Sequence, residues 1–109
     1  MPNIPLNVQE PYLSFILNGR KTVEGRLNKG KFKDLKVGDK LSIGPDEKIF
    51  IVKQINCYDN FRDMIVGEGV SNVIPDKNTI EEAEAVYYKF YTKEQEKEFG
   101  VLAIRMEML

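Results

Sequence analysis

Short apolar runs divided by turn signals constrain this chain more than any other feature. Ile49-Phe50-Ile51-Val52 is a continuous apolar run of strand length. It follows Lys40 to Ile43 across the turn Gly44-Pro45-Asp46, and Val37-Gly38-Asp39 marks another turn before both. The run predicts a strand that reaches about Cys57 and lies at the centre of a sheet. Val101 to Met108 alternates, with Leu102, Ile104, Met106 and Met108 on one face and Arg105 and Glu107 on the other. Residues 21–27 read as a further strand, and Ile4 to Val8 as a short first strand that Pro5 keeps at an edge.

Helical spacing is confined to a few places. Leu13, Ile16 and Leu17, with Tyr12 and Phe15 beside them, predict a helix over 10–18, with Pro11 in its first turn and Asn18-Gly19 at its end. Thr79-Ile80-Glu81-Glu82 reads as a capping box, and Ala83, Val86, Tyr87, Phe90 and Tyr91 continue the helix to 91. Residues 61–65 predict a short helix capped by Asn60 or Asp59. Residues 28–36 and 67–78 read as loops. Two main helices around about five strands, without regular βαβ units, predict an α+β fold. Its sheet should be a mostly antiparallel, partly closed β-barrel with flanking helices. The pattern alone leaves the topology open.

At 109 residues the chain, 1–109, reads as a single domain with a modest core. No apolar run approaches the roughly 18 residues of a bilayer span, so no membrane association is expected. Met1 to Val8 lacks the basic and apolar regions of a signal peptide. The one cysteine, Cys57, excludes an internal disulfide and is expected at a buried strand end. Together these lead to an expected cytoplasmic location, or a nuclear one in a eukaryote. With no histidine, neither a common zinc site nor a Ser-His-Asp or Cys-His nucleophile system can be built. No cofactor is expected, since no glycine-rich phosphate loop is present.

The net charge of −1 conceals an asymmetry. Arg20 to Lys40 carries eight basic residues against three acidic ones, whereas Asp76 to Glu98 carries seven acidic residues against four lysines. One face could bind a polyanion while the average stays near zero; equally, both could be ordinary solvated surfaces. The acidic helix 79–91 is a candidate protein-interaction surface.

The densest chemistry lies in Gly19-Arg20-Lys21-Thr22-Val23-Glu24-Gly25-Arg26, which contains Gly-x-Lys-x-x-Glu-x-Arg. Gly19 can end the preceding helix in a left-handed conformation. In an extended strand Thr22, Glu24 and Arg26 share one face, so Glu24 and Arg26 can pair. Lys21 falls at the helix-to-strand turn, where its amine could swing to the mouth of the barrel. Lost hydration there would lower its pKa and suit it to act as a base or nucleophile; the alternatives are a phosphate clamp or a surface lysine. Arg26 has the fork to grip phosphate or a base edge. The aromatics Tyr12, Phe15, Tyr87, Tyr88, Phe90 and Tyr91 could stack on bases; most sit on helical stripes and read as core, and Tyr88, off the stripe, reads as the available one.

The motif resembles the signature of the ASCH family, small domains related to the PUA-like β-barrels. Leu35-Lys36-Val37-Gly38-Asp39-Lys40-Leu41 resembles the family's hairpin after the motif, and Phe99-Gly100-Val101-Leu102-Ala103-Ile104 its last strand. The resemblance implies a PUA-like fold and an RNA- or nucleotide-binding cleft at the motif, with Arg20, Lys21, Arg26, Lys29, Lys31 and Lys33 as the binding set. Some compact relatives look like amidohydrolases acting on N4-acetylcytidine. For that activity the resemblance implies Lys21 as base, with Thr22, Glu24 and Asp76 as candidate catalytic partners; Glu68 competes with Asp76 for the loop carboxylate. Those relatives carry threonine where this chain has Glu24. The implied partner is RNA or a modified nucleoside.

Overall fold

A computed structural model describes residues 3–109. Strand β1 spans Ile4–Leu6, and helix α1 follows at Tyr12–Leu17. Gly19, at φ +85°, turns the chain out of α1 in the left-handed region that glycine tolerates. Strand β2 is Val23–Leu27. The expected basic loop contains a 3₁₀ turn at Gly30–Asp34 and leads to the hairpin of β3, Lys40–Ile43, and β4, Lys48–Tyr58. Four helices then precede the last strand: α2 at Phe61–Glu68, α3 at Val70–Val73, α4 at Ile80–Tyr87 and α5 at Lys93–Phe99. Strand β5 is Val101–Met108.

The five strands form one sheet in the order β1-β3-β4-β5-β2. All neighbours are antiparallel except β1 and β3. The expected α+β fold with a partly closed, mostly antiparallel barrel of five strands is therefore present, with β4 central and the Pro5 strand at one edge. The pairing of β4 with β5 slips between Val52 and Gln54, and such a bulge bends the strand. The sheet curls accordingly, bringing its two edge strands toward each other. Arg26 Nη2 of β2 donates to the Asn7 carbonyl just beyond β1, and Lys31 Nζ of the 3₁₀ turn donates to the Pro5 carbonyl within β1.

The curl separates two apolar cores. Leu6, Ile16, Leu41, Ile43, Phe50 and Val52 pack with Leu102, Ile104 and Met106 on one face of the sheet. Val23, Leu27, Val101 and Ala103 pack on the other face beneath Phe61, Met64, Ile65, Ala83 and Val86 of the helices. The start of β5 is thus buried on both faces, which explains its unbroken Val-Leu-Ala-Ile run.

The helices follow their caps. Asn60 Oδ1 accepts from the Asp63 amide at 2.7 Å, and Thr79 Oγ1 from the Glu82 amide at 3.1 Å. Glu82 Oε1 reaches back to accept from the Thr79 hydroxyl at 3.1 Å and from the Asn78 amide, instead of from the Thr79 amide that a full capping box would use. The helix expected over 79–91 ends at Tyr87. A second helix begins at Thr92, whose hydroxyl caps Gln95 while Gln95 returns to the Thr92 amide. That capping box lay unread within the acidic run, and α3 lay within the loop expected at 67–78. Buried Glu96 ties α5 to the rest: it accepts the Phe61 amide at 2.8 Å and the Tyr88 hydroxyl with both oxygens. Tyr88 is therefore engaged, not free for stacking. Cys57 is exposed, because the end of β4 turns that side chain away from both cores.

Candidate functional site

The motif lies along β2, where the curled sheet leaves a gap beside β1. Lys21 is nearly fully buried, at 3% exposure, instead of swinging free at the mouth. Its backbone amide bonds the Phe15 carbonyl at 2.9 Å, which folds the turn back onto α1. An ammonium has three N–H donors. Here the acceptors are the carbonyls of Val23 (2.8 Å) and Val73, and Glu24 Oε1 at 3.3 Å. A neutral amine would leave one acceptor unmatched, so the set suits the charged form.

Glu24 is 6% exposed and joins three partners. Its Oε1 accepts from Lys21 and from the Gly25 amide at 3.0 Å, and its Oε2 pairs with Arg26 Nη2 at 3.0 Å. The expected pairing of Glu24 with Arg26 is present, and Lys21 enlarges it into a buried triad. Burial pushes the Lys21 pKa down, and the Glu24 charge opposes this without cancelling it. Burial alone would raise the Glu24 pKa, but the Lys21 and Arg26 charges outweigh it and hold the carboxyl below its ordinary value. Burial would lower Arg26, and Glu24 more than restores it.

The triad floors a pocket of about 190 Å³ whose walls include Tyr12, Tyr87, Phe90 and Tyr91, with Asn7, Val8 and Gln9 completing one side. Tyr87 and Tyr91 both stack on buried Phe61, with ring centroids 4.5 and 5.3 Å away. Packing on Phe61 fixes the placement of these two rings. Phe90, beyond the end of α4, stands at the rim with 49% exposure. Gly25 is needed here because a Cβ would come within 2.7 Å of Met64 Cε and 3.0 Å of the Tyr87 hydroxyl. That hydroxyl is buried without a partner among the described residues, and burial raises its pKa well above the ordinary value. Tyr12 is pushed up to about 12 by burial and by the Asp76 carboxylate.

A second hollow of about 220 Å³ adjoins the first and shares Arg26 and Tyr91 with it. Lys29, Gly30, Lys31 and Phe32 line it. Of the residues expected to act, Lys21, Glu24 and Arg26 meet in the first pocket, and Lys29 and Lys31 in the second. Lys33 and Arg20 line neither; Arg20 lies over the Phe15 ring at 4.5 Å. Thr22 precedes β2, its backbone bonded to the Asn72 carbonyl and the Met106 amide, and it does not line the pocket. Asp76 acts on Tyr12 but does not line the pocket. Glu68 is held by Asn56 at 2.8 Å and by the Tyr58 hydroxyl at 2.5 Å. Among the described residues no cluster of possible metal ligands occurs, and no helix is long and apolar enough to cross a membrane.

The sequence reading weighed the aromatic walls mainly as core. The signal was density: Tyr87, Tyr88, Phe90 and Tyr91 put four rings into five residues, more than one helical stripe can bury.

A curled five-stranded half-barrel flanked by helices, with a charged motif on its edge strand, is the architecture that the motif's resemblance implies. The sequence matches the profile of the ASCH domain over residues 6–109, and the chain belongs to that family. Its fold is similar to the crystal structure of hypothetical protein PH0355, with a TM-score of 0.93 and 37% identity over 99% of this chain and 100% of the other. It is also similar to the solution structure of protein PF0455 from Pyrococcus furiosus, with a TM-score of 0.84 and 39% identity over 99% and 98% of the two chains. No curated protein matches.

Proposed function

We propose that this ASCH domain binds RNA by taking one base into the pocket above Lys21, Glu24 and Arg26. The observation that carries the reading is the pairing of aromatic walls with a floor of hydrogen-bonding charge. Rings offer stacking to any base, and a carboxylate beside a guanidinium offers an acceptor and a donor to a base edge. At about 190 Å³ the pocket falls below the roughly 300–1,000 Å³ of sites for drug-sized ligands, which suits one ring system. The pocket also shares Arg26 and Tyr91 with the basic hollow, which places positive charge beside it.

The geometry favours binding over hydrolysis of N4-acetylcytidine. A general base must give up its own proton first, and the Lys21 ammonium already has three acceptors. Neither Thr22 nor Asp76 lines the pocket. Short single-stranded RNA and the four ribonucleosides, titrated while backbone amides are followed by NMR, test the reading. Shifts should centre on residues 24–26 and 87–91. Phe90→Ala should weaken binding by about 1–3 kcal/mol, the worth of one stacked base. N4-acetylcytidine should remain intact. No shift with any ligand would refute binding, and turnover abolished by Lys21→Met would replace it with the enzyme.

A further inference from the structure

We infer that the hollow lined by Lys29, Lys31 and Arg26 is a phosphate subsite, so that the ligand is a nucleoside carrying a phosphate ester rather than a free nucleoside. This rests on the base-binding reading of the first pocket and adds the chemistry of the ligand's other end. The two hollows share Arg26 and Tyr91, so one ligand can lie across both without leaving the surface. Arg26 Nη2 is committed to Glu24 and to the Asn7 carbonyl. Its Nη1 and Nε hold the remaining donors of a group suited to phosphate. Glu24 keeps that guanidinium charged and aimed, and is itself neutralised by Lys21.

The lysines differ in their freedom. Lys31 spends one donor on the Pro5 carbonyl. Lys29 is exposed, its amine lying 5.1 Å from the Phe99 ring centroid. Among the described residues no carboxylate pairs with Lys29, Lys31 or Lys33. The hollow therefore holds excess positive charge. Its lining contains no acidic residue, whereas the first pocket holds Glu24. An anionic group is repelled from the carboxylate side and drawn to the lysine side, which fixes the direction in which the ligand lies. Lys33 has the same charge and lies nearby in sequence, but outside the lining. It serves as an internal control for a diffuse field.

The source of the phosphate is either a free mononucleotide or a linkage within a strand, and one experiment addresses both. Dissociation constants are measured for the four ribonucleosides, their 5′-monophosphates and a trinucleotide, with the parent protein, Lys29→Gln and Lys33→Gln. The monophosphates should bind about tenfold more tightly than the nucleosides, the scale of one charge-assisted contact. Lys29→Gln should remove most of that advantage, leave nucleoside affinity unchanged and reduce the salt dependence. Lys33→Gln should change neither. A trinucleotide that binds more tightly than any monophosphate, and stays sensitive to Lys29, assigns the phosphate to a strand; equal affinity assigns it to a free nucleotide. Equal binding of nucleosides and monophosphates overturns the subsite while leaving base binding intact. Equal losses in the two lysine variants overturn it as well, by reducing it to a diffuse field. Failure of every ligand to bind removes both readings.

Discussion

Removing the Glu24 carboxylate should destabilise the domain far more than an ordinary surface change. In Glu24→Ala, Lys21 loses one of three acceptors while remaining buried at 3% exposure, and Arg26 loses its partner. Breaking a buried pair by deleting one member typically costs about 3–5 kcal/mol, because the remaining charge is stranded. Total stabilities of roughly 5–15 kcal/mol make that a large share. For a domain of this size it corresponds to a fall in Tm of about 10–25 °C. Differential scanning calorimetry and urea unfolding measure both quantities. A loss below about 1 kcal/mol would refute a buried triad. The pH dependence gives an independent check. The folded Glu24 pKa lies below the unfolded value, so its stabilisation is complete above the unfolded pKa. It disappears as pH falls through the folded pKa, and Glu24→Ala should lack that acid limb. Lys21→Met combined with Glu24→Met should lose less than the sum of the two single changes, since neither charge is then stranded; strict additivity would contradict the coupling.

Lys31→Ala should lower stability by about 1 kcal/mol through the lost Pro5 bond and speed hydrogen exchange in β1, as mass spectrometry can show. Unchanged exchange there would mean that the bridge holds nothing. Gly25→Ala should cost about 1–3 kcal/mol by pressing Met64 and Tyr87 aside, and a crystal structure should show the pocket wall displaced. Native stability and an undisturbed wall would contradict the close approach. Cys57 should react with a thiol reagent in the folded protein at nearly the rate of the unfolded one; reaction only after unfolding would place it in the core.

The strands were legible because their patterns report burial directly. Ile49 to Val52 read as a continuous apolar run and Val101 to Met108 as an alternating one, and both proved to be near the middle of the sheet. The pairing of Glu24 with Arg26 follows from a period of two, which any extended chain obeys. The depth of Lys21 was not legible. Its burial depends on Val73, 52 residues away, in a helix too short to leave a periodic signal. Tyr88 and Phe90 exchanged their expected places because α4 stops at Tyr87, so helical spacing no longer governs the residues beyond it. Lys31 read as one more loop lysine, since a bond to a backbone carbonyl 26 residues earlier has no sequence pattern.

The motif also has a consequence for how this protein meets other copies of itself. Strand β2 closes one end of the sheet order, and a bare strand there would template further strands. Three of its outward backbone groups are engaged within the chain: the Val23 carbonyl by Lys21, the Gly25 amide by Glu24 and the Leu27 carbonyl by the Lys29 amide. The same side chains that floor the pocket thus guard the chain against edge-to-edge aggregation. A variant chosen only for altered ligand preference at Lys21 or Glu24 would uncover that edge, and its solubility would change together with its specificity.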